Sequence, residues 1–66
     1  MLSIKINSFV EISIENGDKI VGYYQGINHN GVLLKNAKVY SEKCYKLEKV
    51  HVTFCKILDI NTIFNA

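Results

Sequence analysis

The residues best equipped for recognition chemistry cluster at Asn28-His29-Asn30-Gly31. Two side-chain amides, each a donor and an acceptor, flank an imidazole with a flat face and two ring nitrogens. Such a set can read hydrogen-bonding edges and stack on a planar ring, and it fits ordinary turn chemistry equally well. Lys56 adds a point charge without the bidentate fork of an arginine, a residue this chain lacks altogether. The remaining candidates are sparse. His51 sits between Val50 and Val52, where alternation puts it on the exposed side of a strand. The two histidines and two cysteines, Cys44 and Cys55, show no C-x-x-C or H-x-x-x-H spacing, so neither a metal site nor a cofactor is expected. No Ser/His/Asp or Cys/His arrangement and no glycine-rich phosphate loop can be composed, and so short a chain has little room for a pocket. An enzyme and a small-molecule substrate are therefore not expected.

These residues need a scaffold, and composition limits its kind. Sixty-six residues make one small domain, whose core is marginal by size alone. With 48% hydrophobic against 21% charged residues, the chain is not a disordered tail. The longest apolar run, Val32-Leu33-Leu34, is far short of the roughly 20 residues that span a bilayer. The start, Met1 to Ile6, lacks the pattern of a secretory leader. A cytoplasmic or nuclear address with reduced cysteines is the expectation, and no membrane partner. Net charge is +2, unevenly placed: residues 34–66 carry Lys35, Lys38, Lys43, Lys46, Lys49 and Lys56 against Glu42, Glu48 and Asp59. That half could face an acidic partner such as RNA, or the lysines could form a solubilising surface.

The periodicity is two almost throughout. In Phe9 to Glu15, Val10, Ile12 and Ile14 alternate with Glu11, Ser13 and Glu15, the mark of a half-buried strand. Asn16-Gly17 then supplies the positive φ angles of a tight hairpin. A second strand runs from about Lys19 to Ile27, with Tyr23 and Tyr24 on opposite faces and Gly22 and Gly26 marking sharp bends. A third covers Val32 to about Val39, and Ser41 to Lys46 is a polar connection. A fourth runs from Lys49 to Cys55 with Val50, Val52 and Phe54 inward, and a fifth from Ile57 to Ile63 after a very short turn near Lys56. The first seven residues form a short extra strand, with Leu2, Ile4 and Ile6 on one side, or one helical turn. Tyr40 and Tyr45 flank the lysine-bearing third loop and could make a second aromatic and basic surface. The fold class is all-β, a small, strongly bent, five-stranded antiparallel barrel, SH3-like or Sm-like, with the OB-fold as alternative.

Val10 to Asn28, with its Asn-Gly hairpin, a glycine five residues on at Gly22 and the triplet Gly26-Ile27-Asn28, resembles the first motif of the Sm-like (LSm) proteins. Val32-Leu33-Leu34-Lys35-Asn36-Ala37 is similar to that family's third strand. Val50 to Phe54 and Ile57 to Ile60 stand where its second motif belongs. The resemblance spans about residues 9 to 63. It implies a barrel over 9–63 with an extension over 1–8, within one domain over 1–66. It also implies a homo-oligomeric ring, and loop residues lining a pore that binds single-stranded RNA in RNA metabolism. On this sequence the RNA contacts fall to Asn28, His29, Asn30 and Lys56. Two departures stand out: Asn28 replaces the family's usual Asp, and Cys55-Lys56 replaces its Arg-Gly pair.

Strand edges decide what completes the small core. An open barrel leaves unpaired backbone that must be blunted, covered or paired with another chain. Ile57, Leu58, Ile60, Ile63 and Phe64 are more apolar side chains than one face of a short strand can bury. Edge-to-edge pairing of strands four and five, with Val52, Phe54, Ile57 and Ile60 at the interface, answers both needs. The alternatives are an interaction or architectural module of the same fold without RNA binding, and a monomeric OB-fold single-strand binder.

Overall fold

A computed structural model describes residues 3–66. Five strands form one antiparallel sheet: β1 (Phe9–Ile14), β2 (Lys19–Asn28), β3 (Gly31–Tyr40), β4 (Cys44–Thr53) and β5 (Ile57–Phe64). Their order across the sheet is β4-β3-β2-β1-β5. The first four strands follow one another as hairpins, and β5 returns to lie against β1. β4 pairs only with β3 and β5 only with β1, so among the described residues both outer edges of the sheet are open.

The sheet wraps around a core made by one face of each strand. Val10, Ile12 and Ile14 of β1 are buried as their alternation requires, and meet Ile20, Tyr24, Val32, Leu34, Ala37, Val39 and Val52. Each Val, Leu or Ile among them, withdrawn from water, is worth about 1.5–3 kcal/mol. Bulges bend the sheet enough to close around this core. On β2 the extra residue is Gln25, just before Gly26, whose φ of 110° would strain any residue with a Cβ. On β3 the extra residue falls at Asn36-Ala37, where Asn36 takes a φ of 48° opposite Gly22. The two glycines thus mark the bends, as their spacing predicts.

Several elements differ from the sequence reading. At the first hairpin only Gly17 takes a positive φ. Its N–H donates to the Ile14 carbonyl while Asp18 O accepts from Ile14 N, so the loop has three residues instead of a two-residue turn. The Asn16 side chain holds it, Oδ1 accepting from Asp18 N at 2.9 Å. β4 begins at Cys44, inside the expected polar connection, because its outward residues are polar and only pairing with β3 reveals the strand. It ends at Thr53, and Phe54–Lys56 form one 3-10 turn. Phe54 is therefore 42% exposed instead of inward.

Residues 3–8 are neither strand nor helix; Leu2, counted in their alternation, lies outside the described residues. They are tied to β2 instead. Asn7 N donates to Tyr24 O and Tyr24 N to Ser8 O, and the buried Ser8 hydroxyl accepts from Ala66 N at 3.0 Å. No helix among the described residues is long and apolar enough to cross a membrane.

Candidate nucleic-acid interface

The β2–β3 turn is short because its strands pair to the end: Asn28 stands opposite Gly31, leaving His29 and Asn30 as the turn itself. All three polar residues are exposed. The Asn28 carbonyl Oδ1 accepts from Asn30 N at 3.4 Å, turn chemistry of the ordinary kind. It also lies 2.9 Å from His51 Nε2 on β4. Because a carbonyl oxygen only accepts, His51 donates from Nε2 in this contact.

Gly31 makes that contact possible. A Cβ there would overlap the Val52 carbonyl oxygen and lie 2.6 Å from His51 Nε2. The absent side chain lets the imidazole lie against the backbone of β3 and reach Asn28. A second clamp joins the 3-10 turn to the same place, where Phe54 N donates to Asn30 O at 2.9 Å. Lys56 belongs to that turn, but its carbonyl accepts from Glu15 N at 3.0 Å, tying it to the β1–β2 hairpin. Lys56 and His51 line one cleft of about 260 Å³ with Ile14, Asp18 and Thr53.

Of the four residues expected to contact RNA, Asn28 and Asn30 are held in one hydrogen-bonded cluster, and His29 is exposed in the turn between them. Lys56 is joined to them through the 3-10 turn. His51 is exposed, as its alternation predicts, yet it is part of the cluster, which the sequence reading misses. The signal is the β3–β4 register: with the hairpin apex at Glu42, Gly31 pairs with Thr53 and Leu33 with His51.

The expected interface residues divide. Val52, at 5% exposure, belongs to the subunit's own core, so its side chain is not free for a neighbour. Ile57 and Ile60 are half-buried and pack against that core. The apolar side chains left in solvent on β5 are Leu58, 69% exposed, Phe64, 70% exposed, and Ile63. Phe54 is open as well. Cys44 and Cys55 are exposed free thiols, so Cys55 fills no core space. Tyr40 and Tyr45 do not share a surface. Tyr45 stands opposite Val39 and lines the cleft beside Ile14 and Ile20, whereas Tyr40 lies with Lys38 and Lys46 in another.

No protein-family model matches this chain, and no curated protein matches it. Solved structures do. The SmAP1 heptamer of P. aerophilum superposes with a TM-score of 0.79 at 20% identity, over 88% of this chain and 81% of that one. A heptameric archaeal Sm protein gives 0.78 at 20% identity over 88% of each. The SmAP (LSm) protein of Methanococcus vannielii gives 0.74 at 23% identity, over 83% of this chain and 79% of its own. The fold is that of the Sm-like proteins. The likeness sets aside the OB-fold alternative and agrees with the motif order in the sequence.

Proposed function

We propose that this chain is a subunit of a homo-oligomeric ring, joined edge to edge through β4 and β5, that binds single-stranded RNA. The observation that carries the proposal is the pair of open edges on one sheet. The two edges are different strands, so their contact is heterologous and repeats head to tail, a geometry that forms a ring when the rotation between copies closes. Leu58 and Phe64 on the β5 side supply apolar surface that a neighbour would cover. That two of the similar folds are heptamers supports the same reading.

RNA recognition is assigned to the turn cluster. His29 offers a face for a base to stack on, and the Asn28 and Asn30 amides can meet base edges. Lys56, repeated around a ring, makes a circle of positive charge where one subunit shows a single cation. The role is that of a binding scaffold in RNA metabolism, in a reducing compartment where Cys44 and Cys55 stay thiols.

Native mass spectrometry combined with fluorescence anisotropy on a labelled oligouridylate and oligoadenylate tests both parts. A ring that binds either, and loses affinity with His29→Ala and Lys56→Ala, supports the proposal. A ring with no RNA affinity at low salt would leave an architectural module of the same fold.

A further inference from the structure

The contact between His51 and Asn28 restricts where the imidazole can titrate. Asn28 Oδ1 is a carbonyl oxygen and only accepts, so Nε2 of His51 carries the hydrogen across the 2.9 Å contact whether the ring is neutral or charged. A proton gained or lost is therefore at Nδ1, which has no hydrogen-bond partner among the described residues. The cluster keeps its shape through that titration and changes only its charge. Gly31 secures the arrangement, because a side chain at that position would meet Nε2.

The charged groups around His51 are mostly cations. Its partner on β3 is Leu33, and two residues further on Lys35 stands opposite Lys49 of β4. These four residues share a cleft of about 390 Å³ with Gln25 of β2. His51 also lines the smaller cleft that holds Lys56 of the 3-10 turn, Asp18 of the β1–β2 turn and Tyr45 of β4. The β2 groups beside it, Asn28 and Gln25, carry no charge. Three ammonium groups thus stand around the ring against the single carboxylate of Asp18. His29, in the turn beyond Asn28, is the one other imidazole of the chain.

We infer that His51 is a proton-linked phosphate contact of the turn site: a bound RNA places a phosphate beside Nδ1, and the ring takes up a proton from solvent as the phosphate arrives. Imidazole is the side chain whose ordinary titration falls between about pH 5 and 8, so the charge is gained under mild conditions. A phosphate entering among these cations favours the imidazolium over the neutral ring. Lysines alone would hold the phosphate equally well throughout that range. The sign follows from linkage: the complex holds a proton that the free protein lacks, so affinity falls as pH rises. The inference rests on reading the turn cluster as an RNA site, and adds to it one residue and one proton.

The test follows labelled oligouridylate by fluorescence anisotropy at fixed ionic strength between about pH 5 and 8. His29→Phe keeps a flat ring in the turn and cannot titrate. His51→Gln keeps an amide N–H for Asn28 and cannot take the charge. The affinity of the unsubstituted protein and of His29→Phe should each fall by about tenfold across the range, while that of His51→Gln stays level. Nuclear magnetic resonance reads the proton directly. At about pH 7, added oligouridylate should move the His51 ring resonances toward their protonated positions. That readout needs no substitution, and it carries the test should His51→Gln fail to fold in a thermal melt. A pH dependence that vanishes in His29→Phe or persists in His51→Gln overturns the inference, and so does an unmoved His51 resonance. An equal response to inorganic phosphate at matched concentration marks a site for the free ion and overturns it as well. If the unsubstituted protein binds oligouridylate equally at every pH, only the proton-linked contact falls. If it binds none at any pH, the broader reading of the turn falls with it.

Discussion

Gly31 and His51 show how one missing side chain organises a site. With backbone and imidazole both inside 3 Å of the position a Cβ would take, Gly31→Ala must displace β4 or expel His51. Overpacking of this kind costs about 1–3 kcal/mol. In a domain of this size each kcal/mol lowers the melting temperature by about 4–8 °C, so a thermal melt followed by circular dichroism reads the change. His51→Ala is expected to be milder, about 0.5–1.5 kcal/mol, since it removes one exposed hydrogen bond. RNA affinity should fall with it, because Asn28 then loses the partner that orients its amide. At this scale the sequence is informative about type and poor about partnership. Asn28, His29 and Asn30 stand out as a cluster from composition alone. His51 does not, because its neighbour lies twenty-three positions away and only register joins them.

Strands are legible in proportion to how cleanly their two faces differ. β1 alternates apolar and polar residues without a break, and its burial follows that pattern. β4 hides because Cys44–Lys49 has Leu47 as its one half-buried residue, and its strand geometry comes from pairing with β3. The bends at Gly22 and Gly26 are readable, since glycine in a strand interior otherwise costs stability. β5 poses the converse problem. Its apolar residues all look alike in sequence, yet Ile57 and Ile60 support the subunit's own core while Leu58 and Phe64 face solvent. Two substitutions separate these roles. Ile60→Lys should destabilise the isolated subunit by about 1–3 kcal/mol by setting a charge against the core. Leu58→Lys should change subunit stability by less than about 0.5 kcal/mol and still prevent assembly. Denaturant melts beside sedimentation velocity distinguish the two.

At the scale of the whole molecule, a core of ten buried hydrophobic side chains sits in a sheet whose two end strands, among the described residues, are each open along the outer edge. The smallness that makes the domain marginal and the openness of its edges have one remedy, a neighbour at each side. Pairing would satisfy the exposed backbone of β4 and β5, cover Leu58 and Phe64, and bring repeated copies of Lys56 into one ring. Stability should then rise with protein concentration, because folding and assembly are linked by mass action. The most direct measurement is the mass of the protein in solution by native mass spectrometry, across a dilution series at moderate salt. Edge-to-edge closure predicts a single discrete multiple of the 7.5 kDa chain, lost in Leu58→Lys. A species at 7.5 kDa throughout the series, with Leu58→Lys indistinguishable from it, would contradict the account.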